Sequence, residues 1–224
     1  KIDSYLENVL QLEGVACKDW LTNKVDRSVT GKVARQQCQG EIQLPLSDCG
    51  VVALDYTGTS GIATSIGHAP QAGLIDSADG SVLSITEALT NIVGANLANG
   101  LKTVSLSANW MWPCRNPGED ARLYRAVKAC SDFACALGIN IPTGKDSLSM
   151  TQKYGADKVL APGTVIISAG GEVSDVRKTV SPVVQNKKST LYYIDFSGTE
   201  FELGGSAFFQ SLNRIGSKAP AVKS

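Results

Sequence analysis

The chain reads as an α+β fold, and three patterns point there. Short apolar runs of strand length stand side by side with only a turn between them, as at residues 50–56 and 61–67. Longer segments repeat apolar residues at helical spacing and carry recognisable ends. The two kinds of segment mix along the chain, with hairpin-like neighbours among the strands.

Taken in order, Ser4 to Glu13 is a short amphipathic helix with Tyr5, Leu6, Val9, Leu10 and Leu12 largely on one side. Cys17 to Lys24 is a second short helix, and Asp26 to Gly40 a glycine-punctuated polar loop. Gly50 to Tyr56 and Gly61 to Gly67 are apolar strands joined by the turn Thr57-Gly58-Thr59-Ser60. Ser84 precedes a helix that runs to about Asn99, with Glu87 at its third position completing a capping box. Leu101 to Leu106 is a strand. At Trp110, Met111 and Trp112, alternation at a strand end is expected to put one tryptophan on each face.

Asn116-Pro117-Gly118-Glu119 reads as an N-cap, a proline at the first helical position and a glutamate reaching back. Leu123, Val127, Cys130, Ala134 and Leu137 then form an apolar stripe that Gly138 closes. Thr164 to Val173 and Leu191 to Phe196 are strands. Leu203-Gly204-Gly205-Ser206 opens a last helix reaching about Arg214.

Composition narrows the function classes. The 224 residues can bury roughly 70% of their unfolded surface, enough for one sizeable domain or one domain and part of another. Lys+Arg and Asp+Glu are both 21, and no basic cluster carries interleaved aromatics, so a nucleic-acid partner is not expected. No signal-peptide-like start and no apolar run near 18 residues is present, which argues against secretion and a membrane span. The cysteines (Cys17, Cys38, Cys49, Cys114, Cys130, Cys135) form no C-x-x-C pair and read as buried or free cytosolic thiols rather than zinc ligands.

Several long motifs carry a family resemblance. The runs LSANWMWPCRNPGEDARLY and INIPTGKDSLSMTQKY resemble phosphoribosylformylglycinamidine synthase, the formylglycinamide ribonucleotide amidotransferase family, in its large single-chain form. DRSVTGKVARQQC, SITEALTN and APGTVIISAGGEVSDV do the same, so the likeness covers about Asp26 to Gly216. It implies an internal piece of a cytoplasmic, ATP- and magnesium-dependent ligase of purine biosynthesis that takes nitrogen from glutamine. The implied fold is an N-terminal domain of the aminoimidazole ribonucleotide synthetase type over 1–171, followed by the opening of its C-terminal domain over 172–224. The implied partners are the first synthetase half and the glutaminase domain of the same chain, with small-molecule substrates. Such N-terminal domains pair in a shared central barrel, so the isolated piece is expected to form a homodimer and to lack synthetase activity.

The resemblance also places ligands. Asp48, Glu87 and Asn91 fall where the family's magnesium ligands fall, and Ser47 where a nucleotide contact falls. No catalytic residue is carried over, because the family's catalytic histidine and glutaminase cysteine belong to other regions. The chemistry suits these residue types: Asp48 sits in the turn-like Ser47-Asp48-Cys49-Gly50 at a strand mouth, and Glu87 and Asn91 share one helix face. Magnesium wants such oxygens in octahedral geometry. Residue types alone also allow Glu87 as a capping glutamate and Asn91 as an exposed polar side chain.

Gly144-Lys145-Asp146-Ser147 is not a Walker loop, since five residues separate Gly138 from Gly144 and Asp146 replaces the hydroxyl residue. Lys145 presents its charge either to a phosphate or to Asp146 or Glu119. His68, before Ala69-Pro70, reads as a capping or turn histidine. Two rival readings are a nucleotide-clamping dimerisation scaffold and another ATP enzyme of the same superfamily; the NWMWPCRNPGEDARLY segment speaks against the second.

Overall fold

The computed structural model describes residues 2–23, 31–197 and 201–222. In chain order the elements are α1 (Ile2–Leu10), α2 (Asp19–Thr22), β1 (Val33–Arg35), β2 (Cys49–Ala53), β3 (Gly61–His68), α3 (Pro70–Ile75) and α4 (Ser77–Ile92). Next come β4 (Ala98–Leu101), β5 (Ser105–Met111), α5 (Glu119–Leu137), β6 (Asn140–Ser147), β7 (Thr151–Tyr154), β8 (Asp157–Leu160), β9 (Thr164–Val173) and α6 (Ala207–Ser211). The α+β class holds.

Six strands form one sheet in the order β1-β2-β3-β9-β5-β6. Every neighbouring pair is antiparallel except β5 and β6. β7 and β8 make a separate hairpin. One face of the large sheet is covered by helices. Val51, Ala63, Leu106, Ala108, Ile167 and Ala169 meet Ile85, Ala88 and Ile92 of α4 and Ala126, Cys130 and Ala134 of α5 in one buried core. The other face is open: Val52, Ile62 and Ile66 are 41%, 47% and 58% exposed.

Several expectations need correction. α4 starts at Ser77, capped by the Asp76 carboxylate, which accepts from the backbone N–H groups of Ala78 and Asp79. Ser84 is therefore mid-helix, its hydroxyl donating back to the Gly80 carbonyl at 2.8 Å, and Glu87 is no capping residue. The helix stops at Ile92, and residues 98–101 are strand rather than its continuation.

The α5 N-cap is Gly118, whose left-handed φ of 81° turns the chain. The Asn116 side chain instead donates to the Pro113 carbonyl and to Thr151 Oγ1. The buried α5 stripe runs through Ala126, Cys130 and Ala134, whereas Val127 and Leu137 are exposed. The closing Gly138 is left-handed, as its position implied.

Trp110 and Trp112 are two residues apart, hence on one face, and both are buried, with ring centroids 6.3 Å apart. The expected polar loop contains β1; its residues 26–30, and Lys24 of the second helix, lie outside the described residues. Residues 191–196 are exposed and form no strand, because no neighbouring strand among the described residues pairs with them. The last helix is α6, five residues long, capped by Ser206.

Candidate functional site

Strand β3 and helix α4 build the part of the site that carries polar chemistry. β3 alternates strictly, with Gly61, Ala63, Ser65 and Gly67 toward the helices and Ile62, Thr64, Ile66 and His68 away. α4 crosses the C-terminal half of this strand and presents Glu87 and Asn91, one turn apart, to its backbone. The Asn91 amide donates to the Ile66 carbonyl at 2.9 Å. The Glu87 carboxylate accepts from the His68 backbone N–H at 2.6 Å. Among the described residues these bonds use Nδ2 of Asn91 and Oε2 of Glu87, not Oδ1 of Asn91 or Oε1 of Glu87.

Asp48 immediately precedes the neighbouring strand β2. Cys49 pairs with Ser65, so Asp48 comes beside Ile66, one step beyond the ladder. It is exposed. Ser47 donates its backbone N–H to the Gln37 carbonyl, and its hydroxyl oxygen is buried with no hydrogen-bond partner among the described residues.

Asp48 and Ser47 line a cavity of about 790 Å³ on the open sheet face, whose floor includes Thr64, Ser107, Thr143 and Ser168. Glu87 lines a smaller one, about 360 Å³, with His68 and the loop Gly204-Gly205-Ser206. The structure thus joins Glu87 and Asn91 firmly and sets Asp48 across the end of β3 from them. Among the described residues no group of three or more His, Cys, Asp or Glu side chains stands close enough to hold a metal ion. By donor type two carboxylates and an amide are the hard oxygens that magnesium takes, but Asp48 lines one cavity and Glu87 the other.

The remaining candidates fall elsewhere. His68 ends β3, with Nδ1 3.6 Å from Glu87 Oε2; it caps no helix, since Ala69 is the N-cap of α3. Lys145 lies on the edge strand β6 and donates to the Ser147 hydroxyl rather than to Asp146 or Glu119. Gly144 is needed for strand packing, because a Cβ there would lie 2.2 Å from the Ala108 carbonyl oxygen.

The WMWPCRNPGEDARLY stretch forms a structural hub. Arg122 Nη1 bonds both carboxylate oxygens of Glu119 at 2.8 Å, Nη2 bonds the Gly73 carbonyl at 2.7 Å, and the guanidinium stacks over Trp112 at 5.6 Å. No periodicity in the sequence signalled that hub.

Comparison with known proteins agrees with this fold. The family model of the FGAR-AT PurM_N-like domain matches residues 17–172. Phosphoribosylformylglycinamidine synthase of Homo sapiens is 43% identical over 217 residues, covering 96% of this chain and 16% of that protein. The Drosophila melanogaster protein of the same name is 41% identical over 223 residues, covering 98% and 16%. The chain therefore spans about a sixth of the length of these relatives.

Among solved structures, PurLQS from Thermotoga maritima superposes with a TM-score of 0.55 at 16% identity, over 74% of this chain and 25% of that one. T. maritima PurL complexed with ADP gives 0.55 at 15% identity, over 75% and 25%. At these identities the likeness is one of fold, the PurM-like fold. The chain, matched over most of its length by that family model, belongs to the FGAR-AT PurM_N-like domain family.

Proposed function

We propose that the chain is a segment of a phosphoribosylformylglycinamidine synthase, the ATP-dependent ligase that converts formylglycinamide ribonucleotide to formylglycinamidine ribonucleotide with glutamine as nitrogen donor. The names of relatives 43% and 41% identical to it support this reading. Within that enzyme the segment contributes oxygen ligands from Asp48, Glu87 and Asn91 to a magnesium–nucleotide site, with Ser47 as a nucleotide contact. The observation that carries the assignment is the seating of Glu87 and Asn91 on the β3 backbone at 2.6 and 2.9 Å, with Asp48 following the β2 register to a place beside Ile66 of the same strand.

Bound magnesium–ATP supplies an activated phosphoryl group. The work of this chain is to hold and orient. Glu87 and Asn91 are fixed before any ligand arrives, so little reorganisation accompanies binding. Asp48, exposed just before the neighbouring strand β2, brings the second negative charge.

Residues 1–171 act as the synthetase N-terminal-like domain, and 172–224 open the next one. The exposed Val52, Ile62 and Ile66 face docks against the equivalent sheet of the other synthetase half, or against a second copy when the segment stands alone. The glutaminase domain supplies ammonia from elsewhere in the chain, and the setting is cytoplasmic.

The test is Asp48→Asn in the full-length protein, a change that keeps size and removes charge. Magnesium-dependent ATP binding at one of the nucleotide sites should weaken by about tenfold or more, since carboxylate charge largely sets affinity for this ion. The melting temperature should stay put. Unaltered magnesium dependence at every nucleotide site would overturn the assignment.

A further inference from the structure

Four consecutive residues of β3 each touch α4, and the contacts interlock. The Ser65 hydroxyl, buried, donates to the Ala88 carbonyl at 2.6 Å. The Ile66 carbonyl takes the Asn91 amide, and the His68 N–H binds the Glu87 carboxylate. Between them Gly67 leaves a gap that the helix fills: a Cβ there would lie 2.2 Å from the Ser84 carbonyl oxygen, 2.3 Å from the Ala88 nitrogen and 3.0 Å from Glu87 Cβ. Two of those three atoms are backbone, so no side-chain adjustment can make room. Gly67 is not among the positive-φ glycines, and its role is therefore space rather than conformation.

We infer that Gly67, together with Ser65, is the positioning element for Glu87 and Asn91, fixing how far the two oxygen ligands project past the strand end. The inference rests on the magnesium–nucleotide reading above. Groups behind metal ligands set their orientation and thereby their affinity. A methyl at residue 67 lifts α4 by roughly an ångström, enough to take hydrogen bonds of 2.6 and 2.9 Å beyond useful length. Both ligands then lose their backbone seats at once.

The experiment compares four variants of the full-length chain: Gly67→Ala, Ser65→Ala, Gly80→Ala and Asp48→Asn. Calorimetric magnesium titration of ATP binding is read beside the melting temperature. Gly80→Ala is the packing control, because its Cβ would lie 2.6 Å from Gly73 Cα at the opposite end of the same helix. Gly67→Ala should weaken magnesium-dependent ATP binding roughly tenfold, and Ser65→Ala should weaken it in the same direction. Gly80→Ala should lower the melting temperature without moving the magnesium dependence.

Wild-type binding by both Gly67→Ala and Ser65→Ala would overturn the inference, as would an equal loss in Gly80→Ala. If Asp48→Asn still weakens binding in those cases, the site reading survives and only the positioning role is lost. An Asp48→Asn protein with unaltered binding sinks the site reading and the inference together. Should Gly67→Ala not fold, Ser65→Ala decides alone against the same control.

Discussion

Arg122→Ala is the most informative perturbation of the scaffold, because one side chain ties three elements together. Its side chain is 23% exposed and that of its partner Glu119 15%, so water screens the pair only partly. The substitution removes a charged donor from the Gly73 carbonyl and a cation from above Trp112, and it strands the Glu119 carboxylate. A charge-assisted bond of this kind contributes about 2 kcal/mol, the stack about 0.5 kcal/mol, and the stranded carboxylate raises the loss to about 3 kcal/mol altogether.

Urea unfolding followed by tryptophan fluorescence measures it, with Trp112 as a reporter at the site. The double variant Arg122→Ala/Glu119→Gln should recover about 1 kcal/mol, since no charge is then left without a partner. A loss below about 1 kcal/mol for Arg122→Ala, or a double variant no better than the single, would refute the hub as described. The distinctive tryptophan–arginine stretch would then need a role outside the scaffold.

Other outcomes follow from the same structure. Asp76→Ala should cost about 1 kcal/mol, or roughly 3 °C in melting temperature; Ser84→Ala should stay within about 0.5 kcal/mol. The reverse ranking would restore the later helix start. Burial pushes the Cys130 thiol from 9.0 up to about 11, so iodoacetamide at neutral pH should label the exposed Cys17 and Cys135 and spare Cys130 until the chain unfolds. Because the folded value is the higher one, this group's contribution to stability is full below about pH 9 and is lost as pH rises toward 11. The Arg177 side chain, hydrogen-bonded to Asp175, holds that carboxyl at about 2 rather than 3.8. A carbon-detected titration should find it there, and Arg177→Ala should return it toward the ordinary range; its contribution to stability is present above about pH 3.8 and fades as pH falls through 2.

Much of the fold was legible where local chemistry and tertiary structure agree. Thr164–Val173 is the strand its β-branched, alternating residues imply, and Gly138 ends α5 in the conformation that glycine favours. Local signals misled where packing overrides them. Ser84 and Glu87 match a capping box in spacing, yet residues 77–83 are helical despite their serines and Gly80, because Asp76 caps them and Gly80 packs against Gly73. Leu191 to Phe196 has strand-forming residues but no neighbour to pair with among the described residues. For the site, spacing put Glu87 and Asn91 on one helix face, and the family resemblance implied the role proposed for them. Neither could show that Gly67 is the empty space on which that face rests, since an absent side chain leaves no pattern in a sequence.

The place of β9 in the sheet bears on how the chain acquires its structure. The last strand of the sheet to be synthesised lies between β3 and β5, so the two strands it bridges, residues 61–68 and 105–111, have no shared neighbour until residue 173 has been made. On a ribosome, α4 and α5 can form early from local contacts, while two apolar strand edges wait unpaired. Such edges invite pairing with another chain. The slow step is then the insertion of one ten-residue strand with eight register partners on one side and seven on the other. Substitutions that weaken β9, such as a proline at Ile167, should reduce the yield of folded protein more than their equilibrium cost implies, through aggregates built on the exposed edges of β3 and β5.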